Sequence, residues 1–389
     1  MPQSSNLTNV RGRYGTRMPE WLTASMTSSH SVLLVGYGLA GRVFHAPLIS
    51  ATSTLTLNGI VTSNAERTIQ ARQDHPDAEV HASLDEALDH QFDLVVIATA
   101  NATHVDYARR ALVAGSHVVL DKPVAADARQ AQELADLAQA QGRLLIPFQN
   151  RRWDSDFLTA KRVAASGALG QVHRFESTIG RMRVVPKAGW RGSADPADLG
   201  GMLYDLGAHV VDQALALMGP VVRVAATVRS VRPLDPTDDD VVLLLTHESG
   251  AVSLLCVSQV AAFAEPRMTL LGTHGGLRIH SSDTQEEVLR SGTIPGDEWG
   301  AEPAGTEATL RVFNDDSVPE ETSVMLEHGR WPEFYNATAA AMSGIGRPPV
   351  TIDDVISSMR VIDAARLAGT TNTTVTIDPP AGHASPTSS

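Results

Sequence analysis

The segment Val32-Leu-Leu-Val-Gly36-Tyr-Gly38-Leu-Ala-Gly41 constrains this chain more than any other. Four apolar residues leading into Gly-x-Gly-x-x-Gly read as a buried strand, a tight turn and the start of a helix. That order builds an anion site. Gly36 permits the turn, Gly38 lets a pyrophosphate approach the backbone, and Gly41 lets the helix pack close to the strand. The helix N-terminus then offers unpaired N–H groups to the anion. Glycine turns of this pattern also occur as plain structure, so the motif is read together with its surroundings.

Those surroundings alternate. Leu55 to Val61, Phe92 to Ala98, His117 to Leu120 and Arg143 to Ile146 are short runs rich in Val, Ile and Leu. Between them, Asn64 to Gln73, Leu84 to His90, Thr103 to Ala114 and the alanine-rich Ala125 to Gln141 are helix-compatible, the last two closed by Gly115 and Gly142. Continuous apolar strands separated by helices predict βαβ units and a parallel sheet covered on both faces. The expectation is an α/β chain whose residues 31–149 form a Rossmann dinucleotide-binding domain.

The end of the second strand bears on which dinucleotide is bound. A site that prefers NAD carries Asp or Glu there to bond the ribose 2′-hydroxyl. Here Ser63 and Asn64 stand in that place and Arg67 follows in the first helical turn. A hydroxyl plus a guanidinium fork suits a 2′-phosphate. NADP is expected ahead of NAD, with Arg67 as a solvated surface charge the alternative.

From Gln149 onward the pattern changes. After a helix at Phe157 to Ala165, strands are read at Val172 to Ile179, Val221 to Ser230, Val241 to Thr246 and Ala251 to Ser258, with a further pair over residues 267–280. Glu248-Ser-Gly250 joins two of them as a hairpin turn, and successive hairpins predict a mostly antiparallel sheet. One helix carries chemistry: Gly200-Gly-Met-Leu-Tyr204-Asp205-Leu-Gly-Ala-His209-Val-Val-Asp212. Asp205 and His209, four apart, project from one helix face. Alcohol oxidation needs a base for the hydroxyl proton, and a histidine with a carboxylate one turn away supplies one. An isolated pair of this kind is more often a satisfied histidine beside a surface carboxylate, and the spacing also serves a metal. Leu120-Asp121-Lys122-Pro123 closes a Rossmann strand, at the strand end where open α/β sheets bind ligands. Lys122 there could stabilise a developing alkoxide, or the Lys-Pro pair could be an ordinary turn.

Composition excludes some functions. The formal net charge of −13 argues against a nucleic-acid partner. The single cysteine, Cys256, permits neither a disulfide nor a cysteine-based zinc site, and reads as a small core residue. No metal is expected. Residues 1–30 are polar and lack the apolar segment of a signal peptide; they read as a disordered extension, with Met18 and Met26 as later candidate starts. Residues 379–389 read as a disordered tail. No stretch is long and apolar enough to span a membrane, and a cytoplasmic setting is expected.

Together these residues resemble the Gfo/Idh/MocA oxidoreductases from residue 31 to about 370. The features that carry the resemblance are the glycine turn, Asp121-Lys122-Pro123 in place of the family's usual Glu-Lys-Pro, and the Gly-Gly-x-x-x-Asp-x-Gly-x-His-x-x-Asp helix. Three longer blocks resemble the NADP-dependent scyllo-inositol 2-dehydrogenase branch: Gly36 to Leu48, Asn150-Arg-Arg-Trp-Asp-Ser-Asp-Phe-Leu158 and Tyr204 to His209. The resemblance implies a second domain over residues 150–370, of α+β type with an open-faced sheet whose free face makes a homodimer or homotetramer. It implies a cyclic polyol or sugar substrate, with scyllo-inositol the first choice. His209 would exchange the hydroxyl proton, Asp205 would orient His209 or the substrate, and Lys122 would polarise the oxygen. Gly36, Gly38, Leu39, Ala40 and Gly41 would hold the pyrophosphate, and Ser63, Asn64 and Arg67 the ribose. Thr99, Asn101, His104, Asp121 and Lys122 would line the nicotinamide side. Asn150, Arg152, Trp190 and Arg191 are candidates for the substrate side, with domain packing the alternative for Trp190. The Lys122-Pro123 bond is expected to be cis. Two other functions fit the same residues: an aldose or keto-sugar enzyme of the same family, and a non-catalytic dinucleotide sensor. Retention of Lys122, Asp205 and His209 together favours an enzyme.

Overall fold

The structure is a computed structural model, and it describes residues 29–185, 192–193, 195, 198–232, 237–296, 298–313 and 318–377. The N-terminal extension up to residue 28, the tail from 378, and the candidates Trp190 and Arg191 lie outside the described residues.

The first half is built on six parallel strands: β1 (His30–Val35), β2 (Leu55–Val61), β3 (Glu79–His81), β4 (Leu94–Ile97), β5 (His117–Leu120) and β6 (Leu145–Pro147), in the order β3-β2-β1-β4-β5-β6. Val32 to Val35 and Leu94 to Ile97 are fully buried along their whole length, as a sheet covered on both faces requires. The crossovers are the helices α1 (Ala46–Ser50), α2 (Ala65–Asp74), α3 (Leu84–Leu88), α4 (His104–Val113) and α5 (Ala128–Ala140). Three of them start on a side-chain cap: Asn64, Ser83 and Asp127 each accept a backbone N–H from the first turn. The strand order reverses between β1 and β4, which opens the ligand crevice at their carboxyl ends. The parallel α/β half is therefore as expected; β3, a three-residue edge strand, was not read from the sequence.

The second half holds α6 (Ser155–Ala165), β7 (Val172–Gly180), α7 (Ala208–Met218), β8 (Val221–Arg229), β9 (Asp240–His247), β10 (Val252–Ser258), β11 (Met268–Gly272) and β12 (Gly275–Ile279). Beyond these, where the sequence assigned no elements, come α8 (Gln285–Arg290), β13 (Glu307–Phe313), β14 (Pro319–Met325), α9 (Pro332–Met342), α10 (Ile352–Thr371) and β15 (Val375–Thr376). Nine strands form one sheet, β14-β13-β12-β11-β7-β10-β9-β8-β15. Among the described pairings only β7 with β10 is parallel; the others are antiparallel.

One face of this sheet is covered and the other is open. Along β9, Val241, Leu243 and Leu245 are buried, while Leu244 between them is 47% exposed. Alternation of this kind is the signature of a sheet packed on one side. The free face also carries Cys256, opposite Val242 in the register. The cysteine is half-buried there, and not in the core as the sequence suggested. Helix α7 packs on β7 and β10 over the covered face, and α10 packs on β8. A Cβ at Gly369 would already stand 3.2 Å from the Val228 side chain, so α10 lies tight on that strand. The same helix reaches the Rossmann half, where Asp363 accepts the Ala128 N–H at 2.9 Å. The crevice at the ends of β1, β4, β5 and β6 is thus faced by the start of α7.

Candidate active site

The glycine turn has the backbone geometry its spacing implies. Gly36 has φ +99°, and a Cβ there would stand 2.6 Å from the Ala98 carbonyl oxygen. A Cβ at Gly41 would be 1.9 Å from the Gly36 carbonyl oxygen, so the helix start is pressed directly onto the turn. Gly38 differs: its Cβ would meet nothing closer than the Arg67 guanidinium, at 3.7 Å. The surface at Gly38 is therefore open to a ligand, and Arg67 leans over it. Leu39 is exposed, and Ala40 begins a π-helical turn, Ala40–His45, that leads into α1. Ser63 is exposed beside them. Asn64 caps α2, its Oδ1 accepting the Arg67 N–H at 3.0 Å. Among the described residues the Arg67 guanidinium makes no ion pair. An open glycine surface flanked by an unpaired guanidinium fits a dinucleotide that carries phosphate.

The second cluster lies at the end of β5. The Lys122-Pro123 bond is cis. His104 is buried against it, its Nδ1 2.8 Å from the Pro123 carbonyl oxygen and its Nε2 3.3 Å from that of Thr99. Burial, more than any neighbour, pulls the His104 pKa down, so the neutral ring has one N–H to give, and the shorter contact receives it. His104 thus braces the Lys122 turn from below. Thr99 is tied to Thr103 by a 2.7 Å hydroxyl contact. Asn101 donates to the carbonyl of Asp198 at 2.9 Å, which folds that segment over the crevice.

Asp121 accepts the Lys122 N–H at 2.8 Å. Burial alone would raise its carboxyl, but His45, then Lys122 and His104, outweigh it and hold the carboxyl below the usual range. His45 Nε2 stands 3.8 Å from Asp121, and its Nδ1 is 2.6 Å from the Tyr335 hydroxyl.

Lys122 Nζ reaches across to the second half, 3.1 Å from Asp205 Oδ1 and 2.5 Å from the Asp205 carbonyl. Asp205 sits in a second π-helical turn, Leu203–Gly207, ahead of α7. π-turns inside helices often mark functional sites, and here both accompany site residues. His209, in the first turn of α7, is 5% exposed, with Nδ1 3.1 Å from Gln149 Oε1. Its pKa is pushed well below the ordinary value by burial first, then by Lys122 and Arg151, with Asp205 opposing. Lys122, Asp205 and His209, from two halves of the chain, are thus brought together at one crevice. A neutral imidazole beside a fixed ammonium can take a proton from a hydroxyl while the cation steadies the oxygen.

The remaining candidates have other partners. Arg152 grips Asp212 with two bonds of 2.8 and 2.7 Å and also bonds Asp354 at 3.1 Å, so its guanidinium is already engaged inside the fold. Asn150 is buried at the end of β6. Gln149 and Arg151, next to it, were not singled out from the sequence, although they follow a Rossmann strand end as Lys122 does. His45 and Tyr335 were missed for another reason: their contact spans 290 positions.

Residues 30–148 match the sequence profile described as "Oxidoreductase family, NAD-binding Rossmann fold", and residues 157–278 match that of the GFO/IDH/MocA C-terminal domain. The chain belongs to the Gfo/Idh/MocA oxidoreductase family. It is 36% identical over 340 residues to the uncharacterized oxidoreductase YdgJ of Escherichia coli K12, covering 87% of this chain and 96% of that one. It is 34% identical over 334 residues to the scyllo-inositol 2-dehydrogenase (NADP(+)) IolW of Bacillus subtilis, covering 85% and 91%. The structure of the oxidoreductase yvaA from Bacillus subtilis superposes with a TM-score of 0.86 at 30% identity, covering 90% of this chain and 99% of that one. As a Gfo/Idh/MocA member the chain carries an NAD-binding-type Rossmann domain, and its relatives include a scyllo-inositol 2-dehydrogenase and a D-glucoside 3-dehydrogenase. Among the described residues no helix is long and apolar enough to cross a membrane.

Proposed function

We propose that this protein is an NADP-dependent dehydrogenase that acts on a secondary hydroxyl of a cyclic polyol or sugar, with scyllo-inositol the first substrate to test. The observation that carries the reading is the convergence of Lys122, Asp205 and His209 at the carboxyl end of the Rossmann sheet. Similarity to IolW along most of both chains supports the polyol. The open surface at Gly38 with Arg67 above it supports NADP over NAD.

When bound, the nicotinamide supplies the two-electron acceptor for the hydride. The chain's own residues do the rest. Lys122 Nζ holds the substrate oxygen and favours its ionised form. His209, kept neutral, takes the hydroxyl proton in oxidation and returns it in reduction. Asp205 fixes Lys122, and Gln149 fixes the His209 ring. Asn101, Lys122, Pro123, Leu199, Gly200, Gly201 and Asp205 line a small space of about 10 Å³ beside Lys122 Nζ. The reading extends to a homo-oligomer joined through the open sheet face, in a cytoplasmic setting.

The test is spectrophotometric. Purified protein is offered NADP or NAD with a panel of inositols and aldoses, and reduced cofactor is followed. Turnover of scyllo-inositol with NADP is expected. Turnover of aldoses alone would move the substrate to that class. Tight NADPH binding without turnover of any panel member would favour a dinucleotide sensor.

A further inference from the structure

Far from the reacting groups, the outer edge of the Rossmann sheet gathers three side chains with no role in the mechanism above. Glu79 and His81 alternate along β3, two apart, and so share one face of the strand. His90 follows α3, which packs against β3 and β2. The His81 and His90 rings lie 5.4 Å apart, and Glu79 Oε2 is 4.0 Å from His81 Nε2. One donor atom from each of the three lies within 4.8 Å of the other two.

A second observation points the same way. His81 is 2% exposed, and its Nε2 is buried without a hydrogen-bond partner. That nitrogen is the one turned toward Glu79. A buried polar atom normally finds a partner, because leaving it unmade costs about 1–3 kcal/mol. An ion at this point would supply one.

We propose that Glu79, His81 and His90 form a binding site for a divalent transition-metal ion of the Zn²⁺ type. Two imidazoles and a carboxylate suit Zn²⁺ and its neighbours in the first transition row, and do not suit Mg²⁺ or Ca²⁺. Around a tetrahedral Zn²⁺ the donors stand about 3.3–3.6 Å apart, given bonds of about 2.0–2.2 Å. Glu79 and His90 are exposed and rotate into that geometry without moving the core. The fourth position faces solvent and takes a water. The ion ties β3 to the end of α3. The His81 carbonyl in turn accepts the Thr62 N–H at 3.0 Å, one residue before Ser63. The site therefore braces the strand that flanks the ribose end of the dinucleotide crevice, and its existence does not depend on which substrate the enzyme takes.

The experiment titrates Zn²⁺ alone into the full chain, stripped with a chelator, by calorimetry and by thermal melting. One ion per chain at micromolar affinity and a rise in Tm are expected, with no displacement by excess Mg²⁺. His90→Ala and Glu79→Gln should each weaken binding about tenfold or more and remove the rise in Tm. Both side chains are exposed, so the metal-free Tm of the variants checks their folding. No uptake by the parent, equal affinity in the variants, or displacement by Mg²⁺ would each overturn the proposal.

Discussion

Lys122 Nζ stands 3.1 Å from Asp205 Oδ1, a contact between residues 83 positions apart that joins the end of β5 to the turn ahead of α7. The ammonium is thereby held at the crevice by the second half of the chain. The position of this one cation depends on how the two sheets are assembled.

Loss of Lys122 or His209 should stop chemistry and spare binding. Lys122→Ala and His209→Ala are expected to lower kcat by about 10²-fold or more, the scale of an acid–base group. NADP affinity should change little, because the glycine turn holds the pyrophosphate. Asp205→Asn should fold and lose turnover. Fluorescence titration beside single-turnover hydride transfer separates the two effects; collapse of binding with normal turnover would make these residues cofactor ligands.

Arg67→Ala should reduce the preference for NADP over NAD by about 1–3 kcal/mol, the worth of a charge-assisted bond. The ratio of kcat/KM for the two cofactors measures it. An unchanged ratio would leave Arg67 a surface charge.

Gly38→Ala and Gly41→Ala should behave differently. The Gly38 Cβ has room, so that variant is expected to melt with the parent yet bind NADP about tenfold or more weakly, since its methyl occupies the ligand's approach. The Gly41 Cβ would overlap the Gly36 carbonyl at 1.9 Å, so that variant should be strongly destabilised or unfolded. Equal melting temperatures for the two variants would contradict this.

His209 should shape the pH profile from the acid side. Its pKa lies below the ordinary value of about 6.5, so the neutral base persists throughout the neutral range. For oxidation, kcat/KM is expected to hold from about pH 8 to 6.5 and fall only below that, with no such limb in His209→Gln. The same shift has a sign in stability. The contribution is present above about pH 6.5 and is lost as pH falls toward the lowered folded value.

Asp283 should act in the opposite sense. Burial, with Asp156 adding, raises its carboxyl to about 6. An unfolded Asp titrates near about 3.9, so the folded state gains from the protonated form. That gain is full below about pH 4 and is lost as pH rises through about 6. Asp283→Asn removes the titration. The stability of the variant relative to the parent should therefore improve by about 2–3 kcal/mol across that window. Chemical denaturation at several pH values measures it, and a constant difference would exclude the effect.

Much of the crevice was legible from local sequence because its demands are local. A turn that must avoid the Ala98 carbonyl needs glycine at 36, and a helix pressed on that turn needs glycine at 41. Four-residue apolar runs reported buried strands, and the motif carrying Lys122 reported a strand end. These signals sit within a few residues of the atoms they govern. The family resemblance added the pairing of Lys122 with the Asp205–His209 helix, which no spacing rule supplies.

What the tertiary structure decided lies between distant segments. The family resemblance makes Arg152 a substrate-side candidate, and its guanidinium is held by Asp212 and Asp354, 60 and 202 positions away. His45 meets Tyr335, and Gln149 meets His209, through packing of elements that share no local pattern. The sequence by itself determined the parallel sheet, the glycine turn and the residue types at the reacting end, because steric and periodic constraints act over a few bonds. Which carboxylate pairs with which cation, and which histidine is buried enough to stay neutral, depended on the assembled core. Desolvation and Coulomb attraction depend on distances that exist only once the chain has folded.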